Sequence, residues 1–188
     1  MWRRAVHRTD FLTSWTSLVM DPDLAKLLGG LGAFVAAAGF FAGWPAVVVG
    51  AVLLYIGLSE LRAGGADLSK WLVYAILAAV AFGIAHMALG FSFERFYRLW
   101  SLPAAGFALA VGAAAWVAGW VLQVASAYRL RPVLKALEGS TGERLFSVAN
   151  TLYWWGSFLA VIAVGLILVF VAYLLVGAGL LVAKFQPR

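Results

Sequence analysis

Cysteine is absent from the 188 residues. That excludes a disulfide framework, a thiolate nucleophile and any cysteine-ligated metal or iron–sulfur cluster. Histidine occurs only at His7 and His86, too few for a histidine-based metal site within one chain. Side-chain amides are as scarce: one asparagine, Asn150, and two glutamines, Gln123 and Gln186. Charged residues make up 12% of the chain, and none falls in the middle of an apolar run. A buried carboxylate relay, which a proton-coupled pump needs, is therefore missing. There is no HExxH, P-loop, GxSxG or nucleophile–base signature, so the sequence reads as non-catalytic and cofactor-free.

What remains is 64% hydrophobic, well outside the range of soluble domains. Repeated apolar runs approach the ~20 residues that a helix needs to cross hydrocarbon. The expected fold is all-α: a polytopic membrane bundle of about six transmembrane helices, with tight hairpins at both ends and amphipathic helices at the interface. Residues 1–20 read as an N-terminal interfacial segment, with Phe11, Leu12, Trp15, Leu18 and Val19 on one face. Residues 21–188 read as a single transmembrane domain.

Asp21 and Pro22 form an N-cap and a first helical position ahead of the run from Leu24 to about Phe41. Residues 27–61 as one helix would extend ~52 Å, too long for a ~30 Å core, so Gly43-Trp44-Pro45 should turn them into a hairpin. Leu68–Phe91 and Pro103–Tyr128 are the third and fourth spans. From 128 to 139, Leu130, Val133, Leu134 and Leu137 lie opposite Arg129, Arg131, Lys135 and Glu138, the pattern of a second interfacial helix closed by Gly139. In it Arg129, Arg131 and Lys135 would anchor lipid headgroups. Ser140 and Glu143 stand at capping-box spacing before residues 145–184, which should fold as a second hairpin around Gly165. LGAFVAAAGF (31–40) can be laid on WGSFLAVIAV (155–164), and AVLLYIGLSEL (51–61) on AYLLVGAGLLV (172–182), the trace of an internal hairpin repeat.

Twelve of the fourteen basic residues fall on one side of this six-span arrangement; Arg95 and Arg98 alone fall on the other. The positive-inside rule then makes both termini cytoplasmic. The stretch FSFERFYRLW (91–100) lands outside, where Phe93, Tyr97 and Trp100 suit an aromatic belt and Arg95 and Arg98 reach lipid phosphate. The net charge of +6 reads as attraction to anionic lipid, not as a nucleic-acid footprint.

Within the spans, His86 is the one ionisable group. Its readings are a packing histidine bonded to a neighbouring helix, a proton-transfer group or a haem ligand completed by another chain; adjacent Met87 points about 100° away on a helix. Gln123, Asn150, Thr151, Tyr153 and Ser157 mark interhelical hydrogen bonds in spans four and five or, with Gln123, Asn150 and Thr151 foremost, a small polar cavity between them. Gly39 and Gly43 in span one, and Ala108, Gly112, Ala115 and Gly119 in span four, form stripes that let helices approach closely.

The stretch KLLGGLGAFVAAAGFFAGWPAVVVGAVLLYIGLSELR (26–62) and the stretch TGERLFSVANTLYWWGSFLAVIAVGLILVFVAYLLVGAGLL (141–181) resemble an archaeal family of small multi-span membrane proteins catalogued as a domain of unknown function. The resemblance implies an archaeal cytoplasmic membrane and carries over no functional residue. The leading expectation is a non-catalytic accessory or scaffold subunit of a larger membrane complex, a respiratory complex being the first to check. Its partners would be the bilayer, including anionic lipids, and other membrane subunits or further copies of itself. The alternative is a small homo-oligomeric transporter or channel.

Overall fold

A computed structural model of the chain describes residues 21–61, 65–97 and 102–184. The side chains of 65–66, 94–97 and 102 lie outside that description, as does the whole N-terminal segment 1–20. Among the described residues six α-helices follow one another: α1 (Pro22–Ala42), α2 (Trp44–Glu60), α3 (Gly65–Tyr97), α4 (Leu102–Thr141), α5 (Arg144–Leu159) and α6 (Val164–Val182). A 3-10 turn, Ala160–Ile162, joins the last two. Five of the helices are long and apolar enough to cross a membrane, and α2 is a shorter apolar helix. The protein is an all-α membrane helical bundle.

Each helix packs on its neighbours in sequence, and α6 returns to α1, so the six close into an antiparallel ring. Between apolar helices in lipid there is no hydrophobic drive to associate, so close backbone approach has to hold the bundle. Glycines supply it. A Cβ on Gly32 would strike the backbone of Leu54, and one on Gly50 would strike Ala36; Gly57 and Gly29 meet in the same way. Ala33, Ala36, Ala37 and Ala51 fill the seam between these contacts, all of them buried. In α4, Gly112 faces Leu89 and Gly119 faces Phe82, so the stripe read there packs internally on α3.

The first helix begins as its sequence reads. The Asp21 carboxylate accepts from the Asp23 N–H at 3.0 Å, Pro22 occupies the first turn, and Lys26 pairs with Asp23 at 2.9 Å. Gly43, at φ +102, makes the α1–α2 turn.

Several expectations are corrected. Residues 128–139 do not form a separate interfacial helix: α4 runs unbroken for 40 residues through Pro132. Leu130, Val133, Leu134 and Leu137 face protein, buried in one cluster with Trp71 and Phe146. An apolar stripe looks the same whether it covers lipid or protein, so periodicity could not separate the two. The helix ends at Gly142 (φ +73), whose N–H returns to the Glu138 carbonyl, and not at Gly139. Ser140 and Glu143 form no capping box; the Thr141 hydroxyl accepts from the Glu143 N–H instead. The α5–α6 turn falls at Ala163, not Gly165, which packs against Gly156 and Ala160. The laid-over segments 31–40 and 155–164 therefore stand at different distances from their turns, and the repeat does not hold in that register. Finally, the third span does not stop at Phe91: α3 continues to Tyr97.

Ala163 sits at φ 63, ψ −32, a backbone region that a side chain disfavours. Ala163→Gly is expected to raise stability by up to about 1 kcal/mol, read as thermal unfolding in detergent.

At 1.5 Å per residue, α1, α2, α5 and α6 are roughly 24–32 Å long, but α3 is about 50 Å and α4 about 60 Å. The excess lies mainly at one end. Gly83 of α3 abuts the Trp44 indole at the α1–α2 turn, and Trp116 of α4 reaches the α5–α6 turn. Residues 84–97 and 102–115 therefore project about 20 Å past both short hairpins. The opposite end of the bundle gathers Lys26, Lys70, Arg129, Arg131, Lys135, Arg144 and Lys184 and is the basic end.

Candidate functional site

The core of the ring is filled unevenly. Near the basic end, Trp71, Leu58, Leu134, Leu137, Phe146 and Leu180 are fully buried and close the centre. Toward the far end the small residues Ala75, Ala79 and Gly83 leave room, and a cavity of about 360 Å³ opens. Its wall draws on five of the six helices: Phe40 and Phe41 at the end of α1, Trp44 and Val47 of α2, Phe82 and His86 of α3, Trp116 and Gln123 of α4, and Val169 and Tyr173 of α6. Phe41, Trp44 and Met87 are exposed and mark its mouth, level with the hairpin turns and beside the projecting α3–α4 pair.

The polar side chains of the wall are held from behind. Gln123 donates from its amide to Ser157 at 3.4 Å, and Ser157 donates to the Tyr153 carbonyl at 2.7 Å. One turn deeper, Ser126, Tyr153 and Tyr173 form a hydroxyl chain with contacts of 3.1 and 3.3 Å. The Tyr153 and Tyr173 rings meet edge to face at 5.5 Å. Gln123 is thus part of a cavity wall, although the cavity lies among α1, α2, α3, α4 and α6 and not between spans four and five. Asn150 and Thr151 are not: the Thr151 hydroxyl is exposed and bonds to the Ser147 carbonyl, and neither residue lines the cavity. Tyr173 joins Gln123 on the cavity wall, with Ser126, Tyr153 and Ser157 behind it. Their signal was faint but present, since Tyr153 and Ser157 stand one helical turn apart on α5.

His86 lies at the cavity rim and is exposed. Met87 lines the rim beside it despite the 100° offset. Among the described residues, no group of three or more His, Cys, Asp or Glu side chains could hold a metal. The indole N–H groups of Trp116 and Trp120 donate to the Val161 and Phe158 carbonyls, each at 3.1 Å. These carbonyls lie in the last turn of α5 and in the 3-10 turn that follows, where regular helical pairing breaks off, and in hydrocarbon such groups need a partner. Trp120→Phe should therefore cost about 1 kcal/mol, with Trp116→Phe similar, measured by SDS titration of the purified protein.

At the basic end, Asp67 pairs with Arg129 at 3.0 Å, and Arg131 lies over the Trp154 ring at 5.5 Å. Arg129, Arg131 and Lys135 line a shallow recess with Asp67 and Tyr128. Of the adjacent tryptophans, Trp154 is half-buried against Phe158 and Trp155 is exposed. At the far end Phe93 is 63% exposed on the last turns of α3. The side chains of Arg95 and Tyr97, and all of Arg98 and Trp100, lie outside the described residues.

A protein family described as a protein of unknown function (DUF996) matches residues 46–174, well over half of the chain. The chain belongs to this family. The DUF996 match runs from α2 into α6 and takes in Gln123, Tyr153, Ser157 and Tyr173. An uncharacterized protein of the archaeon Methanocaldococcus jannaschii is similar, 27% identical over 162 residues that cover 83% of this chain and 89% of that one. No solved structure matches.

Proposed function

We propose that this DUF996 protein is a non-catalytic accessory or scaffold subunit of a larger complex in the cell membrane. The observation that most supports this reading is the closed basic half of the ring. Trp71, Leu134, Leu137 and Phe146 are fully buried between the cavity and the basic end, and no Asp, Glu, Lys or Arg side chain lines the cavity wall. Carrying a charged solute through such a centre would cost several kcal/mol. A role in holding other helices makes no such demand. The projecting part of α3–α4 offers the contact surface, with Phe93 and Phe107 both exposed and neither short hairpin covering them.

In this reading the basic end is cytoplasmic, both termini lie there, and the recess of Arg129, Arg131 and Lys135 attracts anionic lipid. A respiratory complex is the first assembly to examine. The cavity itself favours a second reading, a small homo-oligomeric transporter or channel. Native mass spectrometry of the particle extracted from native membranes in mild detergent separates the two. Other subunits at fixed stoichiometry are expected; a homo-oligomer alone would replace the scaffold reading with the second.

A further inference from the structure

We propose that the cavity is a binding site for a membrane-soluble alcohol or phenol, whose hydroxyl group lies between Tyr173 and Gln123 and whose apolar body points toward the mouth. This does not rest on the assembly reading above. It follows from counting protons. The Ser157 hydroxyl has one proton and gives it to the Tyr153 carbonyl at 2.7 Å, so its contact with Gln123 requires the Gln123 amide to be the donor. That fixes the amide orientation. The Gln123 side-chain oxygen is left as an acceptor in the cavity wall.

The hydroxyl chain has a direction for a similar reason. Ser126 is fully buried and its hydrogen-bond partner is the Tyr153 hydroxyl, so withholding its proton would strand a buried donor. Ser126 therefore donates to Tyr153, and Tyr153 donates to Tyr173. The Tyr173 proton, at the end of the chain, remains to be given, and Tyr173 lines the cavity.

One wall thus presents a donor and an acceptor within about one helical turn of each other, since Ser157 and Tyr153 bridge the two levels. A hydroxyl group satisfies both, accepting from Tyr173 and donating to Gln123. An ether or a ketone satisfies only the first. Much of the remaining wall is Phe40, Phe82, Trp116 and Val169, which suits an apolar ring or chain. The volume, about 360 Å³, falls within the ~300–1,000 Å³ of small-molecule sites. With its mouth at the hairpin turns, the site is reached from the bilayer.

The test compares dodecan-1-ol with 1-methoxydodecane, which accepts a hydrogen bond but cannot donate one. Both are titrated against the purified full chain in detergent, with bound mass read by native mass spectrometry and protection read by thermal unfolding. The alcohol should bind saturably at one per chain, and the ether at least about tenfold more weakly, the loss expected for one hydrogen bond. Gln123→Leu should bring the alcohol down to the level of the ether while leaving the ether unchanged. Tyr173→Phe, which removes a single oxygen, should weaken both. Equal binding of alcohol and ether to the native chain would overturn the proposal, as would non-saturable uptake or a Gln123→Leu protein that still distinguishes the two. The comparison on the native chain stands even where a variant fails to assemble.

Discussion

Gly50→Val is expected to abolish the folded bundle. The Cβ of any residue at this position would overlap the Ala36 backbone, and helix α1 can retreat only by giving up its seam with α2. Gly57→Val should behave alike, because its Cβ meets the backbone of Gly29. Backbone cannot rotate away as a flexible side chain does, so the cost should exceed the 1–3 kcal/mol typical of overpacking. Gly106→Val is the control: it projects into open space on the far part of α4, where a Cβ meets nothing within 4 Å. The measurement is the yield of monodisperse protein on size exclusion and its unfolding midpoint. Gly106→Val should match the native chain, and Gly50→Val should yield no folded protein.

Trp71→Ala should produce the second large loss, about 3–5 kcal/mol, the range for deleting a fully buried large aromatic side chain. Trp71 stands at the junction of α3 with the buried stripe of α4, and its removal would open a void where the ring is otherwise solid. Its indole N–H has no acceptor among the described residues, unlike those of Trp116 and Trp120. Trp71→Phe therefore gives up volume but no hydrogen bond, and should cost less than half as much as the alanine change. Paired chemical unfolding of the two variants reads this ratio directly. Near-equal losses would show that the indole makes a polar contact that the packing account lacks.

The elements legible in the sequence were those with local punctuation. Asp21-Pro22 marks the first helix start and Gly43-Trp44-Pro45 the first turn, and both hold because capping and φ preferences act within a few residues. The second hairpin was readable from length alone, but its turn was misplaced by two residues. Glycine at 165 serves close packing against Gly156, while an alanine accepts the strained turn conformation at 163.

The amphipathic stripe of 128–139 was visible, but its meaning was not, because the partner that buries it comes from α3 and α5 far along the chain. The candidate site divides in the same way. Gln123 stood out as a rare amide in an apolar run. Tyr153 and Ser157 were legible only as further polar groups of the same spans and Tyr173 gave no signal; the two tyrosines gain significance only when α5 and α6 bring their hydroxyls together. The glycines of the α1–α2 seam, Gly29, Gly32, Gly50 and Gly57, carried a periodic signal of small residues at three-, four- and seven-residue spacing that GxxxG alone does not capture.

A blind cavity, open toward the far end and sealed from the basic end, sets which positions water can reach. Because the chain has no cysteine, single introduced cysteines can be labelled with a membrane-impermeant maleimide on intact cells and on inverted vesicles. Ala104→Cys, exposed at the far end of α4, should label only on cells, and Arg144→Cys, exposed at the basic end, only on inverted vesicles. Leu134→Cys, in the sealed half, should stay unlabelled in both. Labelling of Leu134→Cys from either side, in a protein that keeps its native unfolding midpoint, would reveal a water-filled passage through the ring and contradict the account.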